Sequence, residues 1–218
     1  MMSARILTIA QQKGGAGKTT ITAQLAVAFS RQGHRVALVD IDPQGSLGGW
    51  FAVRQERLGD ANLLQLSDVS GWRLGNELNR LRADYDLVLI DSPPHAETEA
   101  KAAIRAADLV LVPLQPSPMD LWATQPTIDL ALGEGRDMIC LLNRVPPRGK
   151  LVAKIRADLA EQNLPVLATG LGNRTAFAAT MMEGLGVAER GGNKTASDEI
   201  LALTIDIGRR LQKAEKAA

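Results

Sequence analysis

The chain has 218 residues, of which 45% are hydrophobic and 22% are charged, a balance that is ordinary for a globular protein with a buried core. Aromatic residues make up only 3%, which favours helices packed on a buried sheet over an aromatic-rich all-β fold. The single cysteine excludes an internal disulfide framework, and two histidines supply few ligands for a metal cluster. Because the net charge is only +1, any contact with nucleic acid must come from a local basic patch.

Short apolar runs, many of them β-branched, predict strands along the chain. They cover residues 5–10, 35–39, 86–90, 109–113 and 138–142, with residues 164–168 as a candidate for one more. Each of the first five is followed by a turn-forming or polar segment and then by a longer helix-compatible stretch. Continuous hydrophobicity is what a parallel strand buried on both faces requires. Its alternation with helices predicts an α/β fold, a doubly wound and mostly parallel sheet flanked by helices.

The tail, residues 196–213, predicts a closing helix because apolar residues recur on one face of it, at Ile200, Leu203, Ile207 and Leu211. The sequence shows no internal repeat, low-complexity tract or linker. We therefore expect residues 1–218 to form a single domain.

The segment after the first predicted strand is rich in glycine and reads Gln12-Lys13-Gly14-Gly15-Ala16-Gly17-Lys18-Thr19-Thr20. Glycines let backbone N–H groups approach a phosphate chain closely, and the N-terminus of a helix attracts anions. We expect Lys18 to reach the β- and γ-phosphates and the Thr19 hydroxyl to hold Mg²⁺. The candidate nucleotide contacts are Gly14, Gly15, Ala16, Gly17, Lys18, Thr19 and Thr20. The usual pattern has a glycine at the place of Gln12, and a glycine-rich turn without a ligand is the alternative.

Two carboxylates follow the second predicted strand, in the segment Asp40-Ile41-Asp42-Pro43-Gln44-Gly45. Residues two apart on a chain leaving a strand can point the same way, here towards the predicted phosphates. A carboxylate in that position can orient an attacking water or bind Mg²⁺ through a water. The same residue types are also typical of a plain turn, and that interpretation stays open.

A third carboxylate, Asp91, ends the apolar run 86–90 and precedes Ser92-Pro93-Pro94. Ligands of open α/β sheets bind at the carboxyl ends of the strands. Asp91 is therefore a candidate for the Mg²⁺ site, together with Thr19 and Asp40, and the stiff segment after it can sense the γ-phosphate. The alternative is an aspartate that only caps its strand.

The fourth candidate segment follows the strand predicted at residues 138–142 and reads Asn143-Arg144-Val145-Pro146. Guanine-binding proteins of related architecture carry Asn-Lys-x-Asp at such a strand end, and here Pro146 stands in place of the aspartate. The Asn143 amide can still pair with an adenine edge. Asn143 and Arg144 are therefore candidate contacts on the base side, which favours ATP over GTP, unless Asn143 only forms a turn.

Three motifs in this order resemble the ParA/MinD family of deviant Walker P-loop ATPases: Lys-Gly-Gly-x-Gly-Lys-Thr-Thr, Asp-x-Asp-Pro-Gln-Gly, and an apolar run followed by Asp-x-Pro-Pro. The short length resembles the small partition ATPases of plasmids and mobile elements, and residues 112–120 resemble their proline-rich stretch. The resemblance implies an ATPase with ATP and Mg²⁺ as cofactors. It also implies a homodimer that forms around two ATP molecules and comes apart after hydrolysis.

Within that resemblance the candidate residues take family roles. Lys13 resembles the lysine that reaches across the dimer to the partner's nucleotide, and Gly14 would lie at the close contact between subunits. Asp42 resembles the carboxylate that positions the hydrolytic water. Asp40 would support the Mg²⁺ region, and Asp91 matches the carboxylate of the second switch. The implied catalytic residues are Lys13, Lys18 and Asp42.

Partition ATPases of this family bind double-stranded DNA without sequence preference as ATP dimers, so the resemblance implies a cationic surface. Basic residues without intervening acidic ones lie between residues 143 and 157, and others lie nearer the C-terminus. Phosphate contacts of this kind give salt-sensitive affinity, whereas a solvated helix face is the alternative interpretation. The DNA-binding candidates are Arg148, Lys150, Lys154, Arg156, Arg174, Arg209 and Arg210, with Lys194 and Lys213 in addition.

The resemblance implies a partition ATPase that positions plasmid or chromosomal DNA and is released when a ParB-like or cargo adaptor protein stimulates hydrolysis. A positioning ATPase for another cargo, such as a chemoreceptor cluster or a microcompartment, would keep every motif. A MinD-like membrane cycler is less favoured because the apolar face of the C-terminal helix lacks Phe and Trp. A metabolic P-loop enzyme is less favoured because Cys140 alone cannot hold an iron–sulfur cluster.

The expected location follows from the apolar segments. No apolar run approaches the roughly 20 residues needed to cross a bilayer, and the N-terminal residues do not have the long apolar segment of a secretion signal. We expect a cytoplasmic protein that associates with the nucleoid in its ATP state and not with a membrane.

Overall fold

A computed structural model of the chain describes residues 3–94 and 97–217, without the side chains of 97 and 213–217. The strands of the described part are β1 (Arg5–Ile9), β2 (Val36–Asp40), β3 (Gln65–Asp68), β4 (Leu87–Asp91), β5 (Leu109–Leu114) and β6 (Met138–Leu142). They form one sheet in the order β3-β2-β4-β1-β5-β6, and every neighbouring pair is parallel. The predicted doubly wound parallel sheet is confirmed, and five predicted strands agree with it to within one residue at each end.

Helices connect the strands and cover both faces of the sheet. Their bounds are α1 (Lys18–Arg31), α2 (Ser46–Leu58), α3 (Leu74–Asp84), α4 (Glu97–Ala106), α5 (Pro118–Gly133), α6 (Leu151–Glu161), α7 (Thr175–Met182), α8 (Val187–Arg190) and α9 (Lys194–Ala217). A parallel sheet needs such cover on both faces because its strands are apolar throughout.

The core lies on both faces of the sheet, as the alternation of side chains along a strand requires. Leu7 and Leu89 point to the face covered by α1 and α9. Ile6 and Val88 point to the opposite face, where they pack against α3 and α4. On that second face the outer strands β5 and β6 pack against α5 and α6. The pattern explains why four central strands read as continuous apolar runs.

The segment 164–168, a candidate strand in the sequence, does not form one. Val166 makes only an isolated parallel bridge to Cys140 at the edge of β6. Pro165 precedes it and has no N–H group to donate, so the ladder cannot extend in that direction. The segment therefore runs along the edge of the sheet as irregular chain.

The opposite edge carries a strand that the sequence did not predict. In β3 only Ser67 is buried, whereas Gln65 and Asp68 are exposed. An edge strand needs only one row of hydrogen bonds and little apolar surface, so its sequence resembles a polar loop. Its pairing with β2 places Asp68 beside Asp40.

The closing helix agrees with its prediction. α9 buries Ile200, Leu203, Ile207 and Leu211 in the cluster that also contains α1. The side chain of Lys213, a DNA-binding candidate near its end, lies outside the described part of the chain. None of the helices in the described residues has the length and hydropathy to span a bilayer.

The C-terminal half of α2 is fixed to the loop before α8 by a buried arginine. The Arg54 guanidinium donates to the Gly184 carbonyl oxygen at 3.1 Å, to the Asn62 amide oxygen at 2.9 Å and to the Glu189 carboxylate. A Cβ atom on Gly184 would lie 2.4 Å from the Arg54 backbone nitrogen. Glycine is therefore required for this close approach of the two backbones.

Candidate functional site

The predicted site residues follow strands whose carboxyl ends lie side by side. Asp91 at the end of β4 is opposite Ile9 of β1 and opposite Asp40 of β2. The glycine-rich loop follows β1 directly and leads into α1. The structure thus brings this loop and the carboxylates of two neighbouring strands to one edge of the sheet.

The glycine-rich loop, residues 12–17, has the backbone geometry of an anion site. Gly15 and Gly17 have φ values of +77° and +91°, which favour glycine. No side chain caps the N-terminus of α1, and no acidic residue lies in its first turn. The first N–H groups of a helix therefore remain available here to a phosphate.

Lys18 opens α1 and is buried, with 7% of its surface exposed. Burial lowers the pKa of its ammonium, while the nearby charges of Asp91 and Asp42 raise it. A phosphate chain in the loop would add negative charge beside the same ammonium and favour its protonated form. The residue fits the predicted role of a phosphate ligand.

Thr19 and Asp91 form a direct pair. The Thr19 hydroxyl donates to Asp91 Oδ2 at 2.6 Å. Asp91 is fully buried, and its Oδ1 has no hydrogen-bond partner among the described residues. Burial raises the pKa of Asp91 to about 7, opposed by the Thr19 hydrogen bond and the charge of Lys18. A buried carboxylate oxygen without a partner, next to a hydroxyl, fits the oxygen donors that a hydrated Mg²⁺ requires.

Asp40 and Asp42 have different surroundings despite their spacing. The buried Asp40 uses both carboxylate oxygens, accepting from the backbone N–H groups of Asp42 at 3.0 Å and Gly48 at 3.1 Å. Burial raises the pKa of Asp40, and these two hydrogen bonds oppose the rise. Asp42 is half-buried and accepts from the Gln44 N–H group at 3.0 Å. Asp40 therefore fixes the backbone of the loop that contains Asp42, and the Asp42 carboxylate interacts electrostatically with the Lys18 ammonium.

Lys13 contacts a residue that the sequence analysis did not select. Its ammonium lies 2.7 Å from Oδ2 of Asp120, in the first turn of α5, and the Ser117 hydroxyl donates to the same oxygen at 2.6 Å. Burial favours the neutral form of Asp120, but these hydrogen bonds outweigh it and lower its pKa. The helix-start pattern Ser117-Pro118-Met119-Asp120 was the available signal. It indicates a capped helix and not a partner for Lys13.

The same helix is bonded to the beginning of the loop. Gln11, which is buried, donates through Nε2 to the Thr124 hydroxyl at 2.8 Å and accepts through Oε1 from the Thr127 hydroxyl at 3.1 Å. The Gln12 N–H group donates to the Thr127 hydroxyl at 3.1 Å. Together with the Lys13–Asp120 pair, these bonds join one face of α5 to the glycine-rich loop.

Asn143 lies against the loop, and its amide is engaged at both ends. Its Nδ2 donates to the Ala16 carbonyl oxygen at 2.8 Å, and its Oδ1 accepts from the Arg144 N–H group at 2.9 Å. These two bonds are the contacts of the Asn143 amide in the structure, and its expected pairing with an adenine edge stays a prediction. Asn143 fastens the loop to β6. A Cβ atom on Gly17 would lie 2.6 Å from Nδ2, so the loop needs glycine here.

A cavity of about 270 Å³ opens beside Asn143. The side chains that line it come from α1, the end of β6 and the segment leading into α7. A cavity of this size next to a phosphate loop has room for a purine base. Its lining includes Thr20, Arg144, Asn173, Thr175 and Phe177, of which only the first two were predicted.

The structure separates the DNA-binding candidates into two groups. Arg148 and Lys150 are exposed in the loop between β6 and α6, beside the exposed Arg144. The remaining candidates whose side chains are described bond within the chain, apart from Lys194. Their contacts are Lys154 to Asp158 at 3.2 Å, Arg156 to the Leu167 carbonyl at 2.8 Å, Arg174 to Glu199 at 2.6 Å, Arg209 to Asp206 at 3.9 Å, and Arg210 to Asp137 at 2.7 Å.

Comparison with known proteins identifies the family. Residues 7–187 match the family described as the CobQ/CobB/MinD/ParA nucleotide binding domain. Two curated relatives are both called maintenance of carboxysome distribution protein A. The one from Halothiobacillus neapolitanus is 30% identical over 201 residues, covering 89% of this chain and 92% of the relative. The one from Gloeobacter kilaueensis is 35% identical over 194 residues, covering 87% of each chain.

A solved structure shows the same fold. The septum site-determining protein MinD from Pyrococcus horikoshii, complexed with Mg-ADP, matches with a TM-score of 0.78 at 20% sequence identity and covers 97% of this chain and 98% of that one. The family match spans the glycine-rich loop and the carboxylates Asp40, Asp42 and Asp91. The chain therefore belongs to the CobQ/CobB/MinD/ParA nucleotide-binding family and is a P-loop ATPase.

Proposed function

We propose that this chain is a positioning ATPase that dimerises with ATP, binds double-stranded DNA without sequence preference and leaves it when an adaptor protein stimulates hydrolysis. The observation that carries the proposal is the meeting of the glycine-rich loop, the Thr19–Asp91 pair and Asp42 around the Lys18 ammonium. ATP and Mg²⁺ are its cofactors.

The phosphates are bound by the N–H groups at the start of α1 and by Lys18. Thr19 and Asp91 hold Mg²⁺, which when bound neutralises charge on the phosphates. The unpartnered Oδ1 of Asp91 supports this assignment because a buried acceptor without a donor is costly in any other role.

Asp42 orients the water that attacks the γ-phosphate. Phosphoryl transfer depends mainly on positioning and electrostatics, so a fixed carboxylate next to the phosphates is an effective arrangement. Asp40 supports this role because its Oδ1 accepts from the Asp42 N–H group and so fixes the backbone of Asp42. Asp40 is thus a positioning residue, and not a direct ligand of the metal.

Lys13 reaches the nucleotide of a second copy in the ATP-bound dimer. It must then give up Asp120, and the phosphate charge on the partner's nucleotide replaces that carboxylate. Gly14 is exposed, with no atom within 4 Å of a Cβ built on it, which leaves its surface open to a close subunit contact.

DNA contacts come from the exposed loop between β6 and α6. Arg144 lines the base-side cavity, and the exposed Arg148 and Lys150 follow it in the same loop, so nucleotide binding and DNA binding share one loop. In a dimer the two copies of this loop would double the number of phosphate contacts. Such contacts give affinity that depends on salt and not on sequence.

The cargo that the relatives favour is a protein microcompartment. Both curated relatives are named for the maintenance of carboxysome distribution. Positioning of plasmid or chromosomal DNA by a ParB-like adaptor uses the same cycle and is the alternative. Deletion of the gene distinguishes them: a positioning ATPase for a protein cargo leaves that cargo clumped, whereas a partition ATPase causes loss of the DNA that it segregates.

The Asp42→Ala variant tests the catalytic part of the proposal. ATP hydrolysis should fall by at least about 100-fold because the water loses its orienting carboxylate. Binding to random-sequence duplex DNA should still require ATP and should persist instead of decaying. Asp68→Ala is the matched control, since it removes an exposed carboxylate at the end of β3. Wild-type turnover in Asp42→Ala would contradict the assignment.

The Arg148→Glu/Lys150→Glu variant tests the DNA surface. Two lost contacts per protomer, four per dimer, should reduce the slope of log affinity against log salt by about 3 to 4. Binding is measured with ATP, with ADP and without nucleotide at several salt concentrations. The charge-matched control Arg57→Glu/Arg80→Glu changes exposed arginines of α2 and α3 and should leave the slope unaltered. An unchanged slope in the first variant would move the DNA surface elsewhere.

A further inference from the structure

A cleft lies between the exposed faces of α5 and α6, away from the glycine-rich loop. Trp122 of α5 is 71% exposed at this cleft. Asp158 and Glu161 of α6 are three residues apart, so both lie on the same face of that helix. We call this cavity of about 410 Å³ the outer cleft, and its lining residues are Leu121, Trp122, Gln125, Asp158, Glu161 and Gln162.

The ring of Trp122 is open, whereas each of the other two tryptophans already carries an arginine. The Arg54 guanidinium lies 5.5 Å from the centre of the Trp50 ring, and the Arg73 guanidinium lies 4.5 Å from the centre of the Trp72 ring. In the part of the chain that the structure describes, no cation lies over the Trp122 ring. The face of an indole ring attracts cations. The Trp122 ring is therefore available to a cation from another molecule.

The polar groups at the outer cleft are mainly hydrogen-bond acceptors. The Glu161 carboxylate has no partner among the described residues, and the Asp158 carboxylate pairs with the exposed Lys154 at 3.2 Å. An exposed pair of this kind contributes little and is easily exchanged. Gln125 donates through Nε2 to Asp129 at 2.7 Å, which leaves its Oε1 as an acceptor. The two charged residues that line the cleft are both acidic.

A proline inside α5 adds one more acceptor. Pro126 has no N–H group, so the Trp122 carbonyl oxygen lacks the donor that the residue four places further along a helix normally supplies. Trp122 and Pro126 are both exposed, so this carbonyl lies where a partner can reach it. The outer cleft thus combines an open aromatic ring with a group of acceptors, and its complement is a cation that carries several donors.

We propose that the outer cleft binds an arginine side chain that the adaptor protein presents. This inference rests on the proposed function, in which an adaptor stimulates hydrolysis. The guanidinium lies over the Trp122 ring and donates to Asp158 and Glu161. Arginine fits better than lysine because the guanidinium is planar, stacks on aromatic rings and carries five N–H donors in a fixed fork. The two carboxylates repel the phosphates of DNA.

The helix that forms one side of the outer cleft also contacts the glycine-rich loop. The opposite face of α5 holds Lys13 through Asp120 and Gln11 through Thr124. A partner that binds at Trp122 therefore contacts the helix that supports the loop. An adaptor can act on hydrolysis from this place without touching the nucleotide.

An arginine tripeptide tests the outer cleft directly. A blocked glycine-arginine-glycine peptide is titrated into protein labelled with 5-fluorotryptophan, whose three ¹⁹F signals are assigned with Trp122→Phe and Trp72→Phe. The Trp122 signal should shift and saturate with a dissociation constant of about 1–10 mM, as one stacked and ion-paired side chain supports. The Trp72 signal should stay in place because Arg73 already covers that ring.

Two comparisons show whether the positive charge and the carboxylates are required. A tripeptide with citrulline in place of arginine keeps the shape without the charge and should bind about 10-fold more weakly or worse. Asp158→Asn/Glu161→Gln should weaken binding of the arginine tripeptide by a similar factor. The matched variant Glu56→Gln/Asp60→Asn, which changes two exposed carboxylates at the end of α2, should bind it like the wild type. Equal binding of the citrulline peptide, or by the first variant, would overturn the inference.

The part played by the adaptor is tested in the source cell. Trp122→Ala and Asp158→Asn/Glu161→Gln should hydrolyse ATP, dimerise and bind duplex DNA within about twofold of the wild type, because they change only exposed side chains outside the nucleotide site. In the cell they should nevertheless leave the cargo clumped, or lose the segregated DNA, as deletion of the gene does. Trp72→Ala and the matched carboxylate variant should retain normal positioning.

The outcomes separate this inference from the proposed function. If deletion of the gene disturbs neither a protein cargo nor DNA, the proposed function fails and the inference fails with it. If the wild type positions its cargo and the cleft variants do so equally well, only the inference fails. Cleft variants that weaken the dimer or the DNA complex would place a second copy or DNA in the cleft and would also overturn it. Arginine-specific binding, together with positioning lost by variants that still bind DNA with ATP, supports it.

Discussion

Replacing Asp91 by asparagine should stabilise the nucleotide-free protein at neutral pH. Burial raises the pKa of Asp91 from 3.8 to about 7. Because the folded protein then holds this proton more tightly than the unfolded chain does, the Asp91 contribution to stability is present below about pH 4 and is lost as the pH rises to about 7. Asparagine has no charge to remove from water, so the variant escapes this loss.

The magnitude follows from the two pKa values and from the packing around Asp91. The interval from 3.8 to about 7, at about 1.4 kcal/mol per pH unit, gives an upper limit of about 4 kcal/mol. The asparagine NH₂ group would be buried without an acceptor where Asp91 Oδ1 lacks a donor, at a cost of about 1–3 kcal/mol. We expect a net gain of roughly 2 kcal/mol above pH 7, or about 4–8 °C in Tm for a chain of this length.

Urea unfolding in EDTA without nucleotide, from about pH 4.5 to about pH 8, measures this gain. The stability difference between Asp91→Asn and the wild type should grow with pH and level off above about pH 7. Asp120→Asn is the control because the pKa of Asp120 is lowered, the Lys13 and Ser117 hydrogen bonds outweighing its burial. Its stabilising contribution is lost only as the pH falls below about 4, so this variant should be less stable than the wild type by an amount that stays constant from about pH 4.5 to about pH 8. A difference that is constant over the whole range for Asp91→Asn would refute the desolvation argument.

Ligand addition should reduce the stability advantage of Asp91→Asn over the wild type. At a ligand concentration of about 100 times the dissociation constant, Mg²⁺ and ATP add about 2.7 kcal/mol to the wild type. Asp91→Asn should gain less because asparagine cannot supply the negative charge that favours the metal. An equal gain in both proteins would remove Asp91 from the Mg²⁺ site.

Four further substitutions give separate readouts. Gly17→Ala should weaken nucleotide binding by at least about 10-fold in a fluorescent-nucleotide titration. Gly17 has a φ of +91°, and a Cβ atom there would lie 2.6 Å from the Asn143 amide nitrogen. Gly14→Ala is the control and should leave nucleotide binding by the monomer unchanged, because a Cβ atom there meets no other atom within 4 Å. Lys13→Gln should lower ATP-dependent dimerisation or turnover while monomer affinity for nucleotide stays, and normal values of both would contradict its proposed role. Leu203→Ala should lower the free energy of unfolding by about 2–5 kcal/mol, measured in urea, because this side chain is fully buried in α9.

The strands and the motifs could be predicted because both follow from local patterns. A central parallel strand must be apolar on both faces, so runs such as 86–90 were identified from composition alone. The loop from Gln12 to Thr20 was identified because phosphate binding requires glycines next to a helix start. Such features need no knowledge of distant residues.

The remaining features depend on contacts between residues distant in sequence. Asp120 meets Lys13 across more than one hundred residues, and its local pattern indicates only a helix cap. The bond from the Asn143 amide to the Ala16 carbonyl oxygen, which joins β6 to the loop, likewise has no signal in the local sequence. The polar edge strand β3 was missed because one row of hydrogen bonds to β2 requires little apolar sequence.

The fixed C-terminal half of α2 limits how the catalytic loop can move. Arg54 locks that half to Gly184 and Glu189, while the other end of the helix starts at Gly45, a residue with positive φ next to the Asp42 loop. The two ends of α2 are therefore held differently: the Arg54 contacts fix the C-terminal half to the segment around α8, while the N-terminal end follows the Asp42 loop. We expect any displacement of that loop to be taken up at the Gly45 end of the helix and not at Arg54.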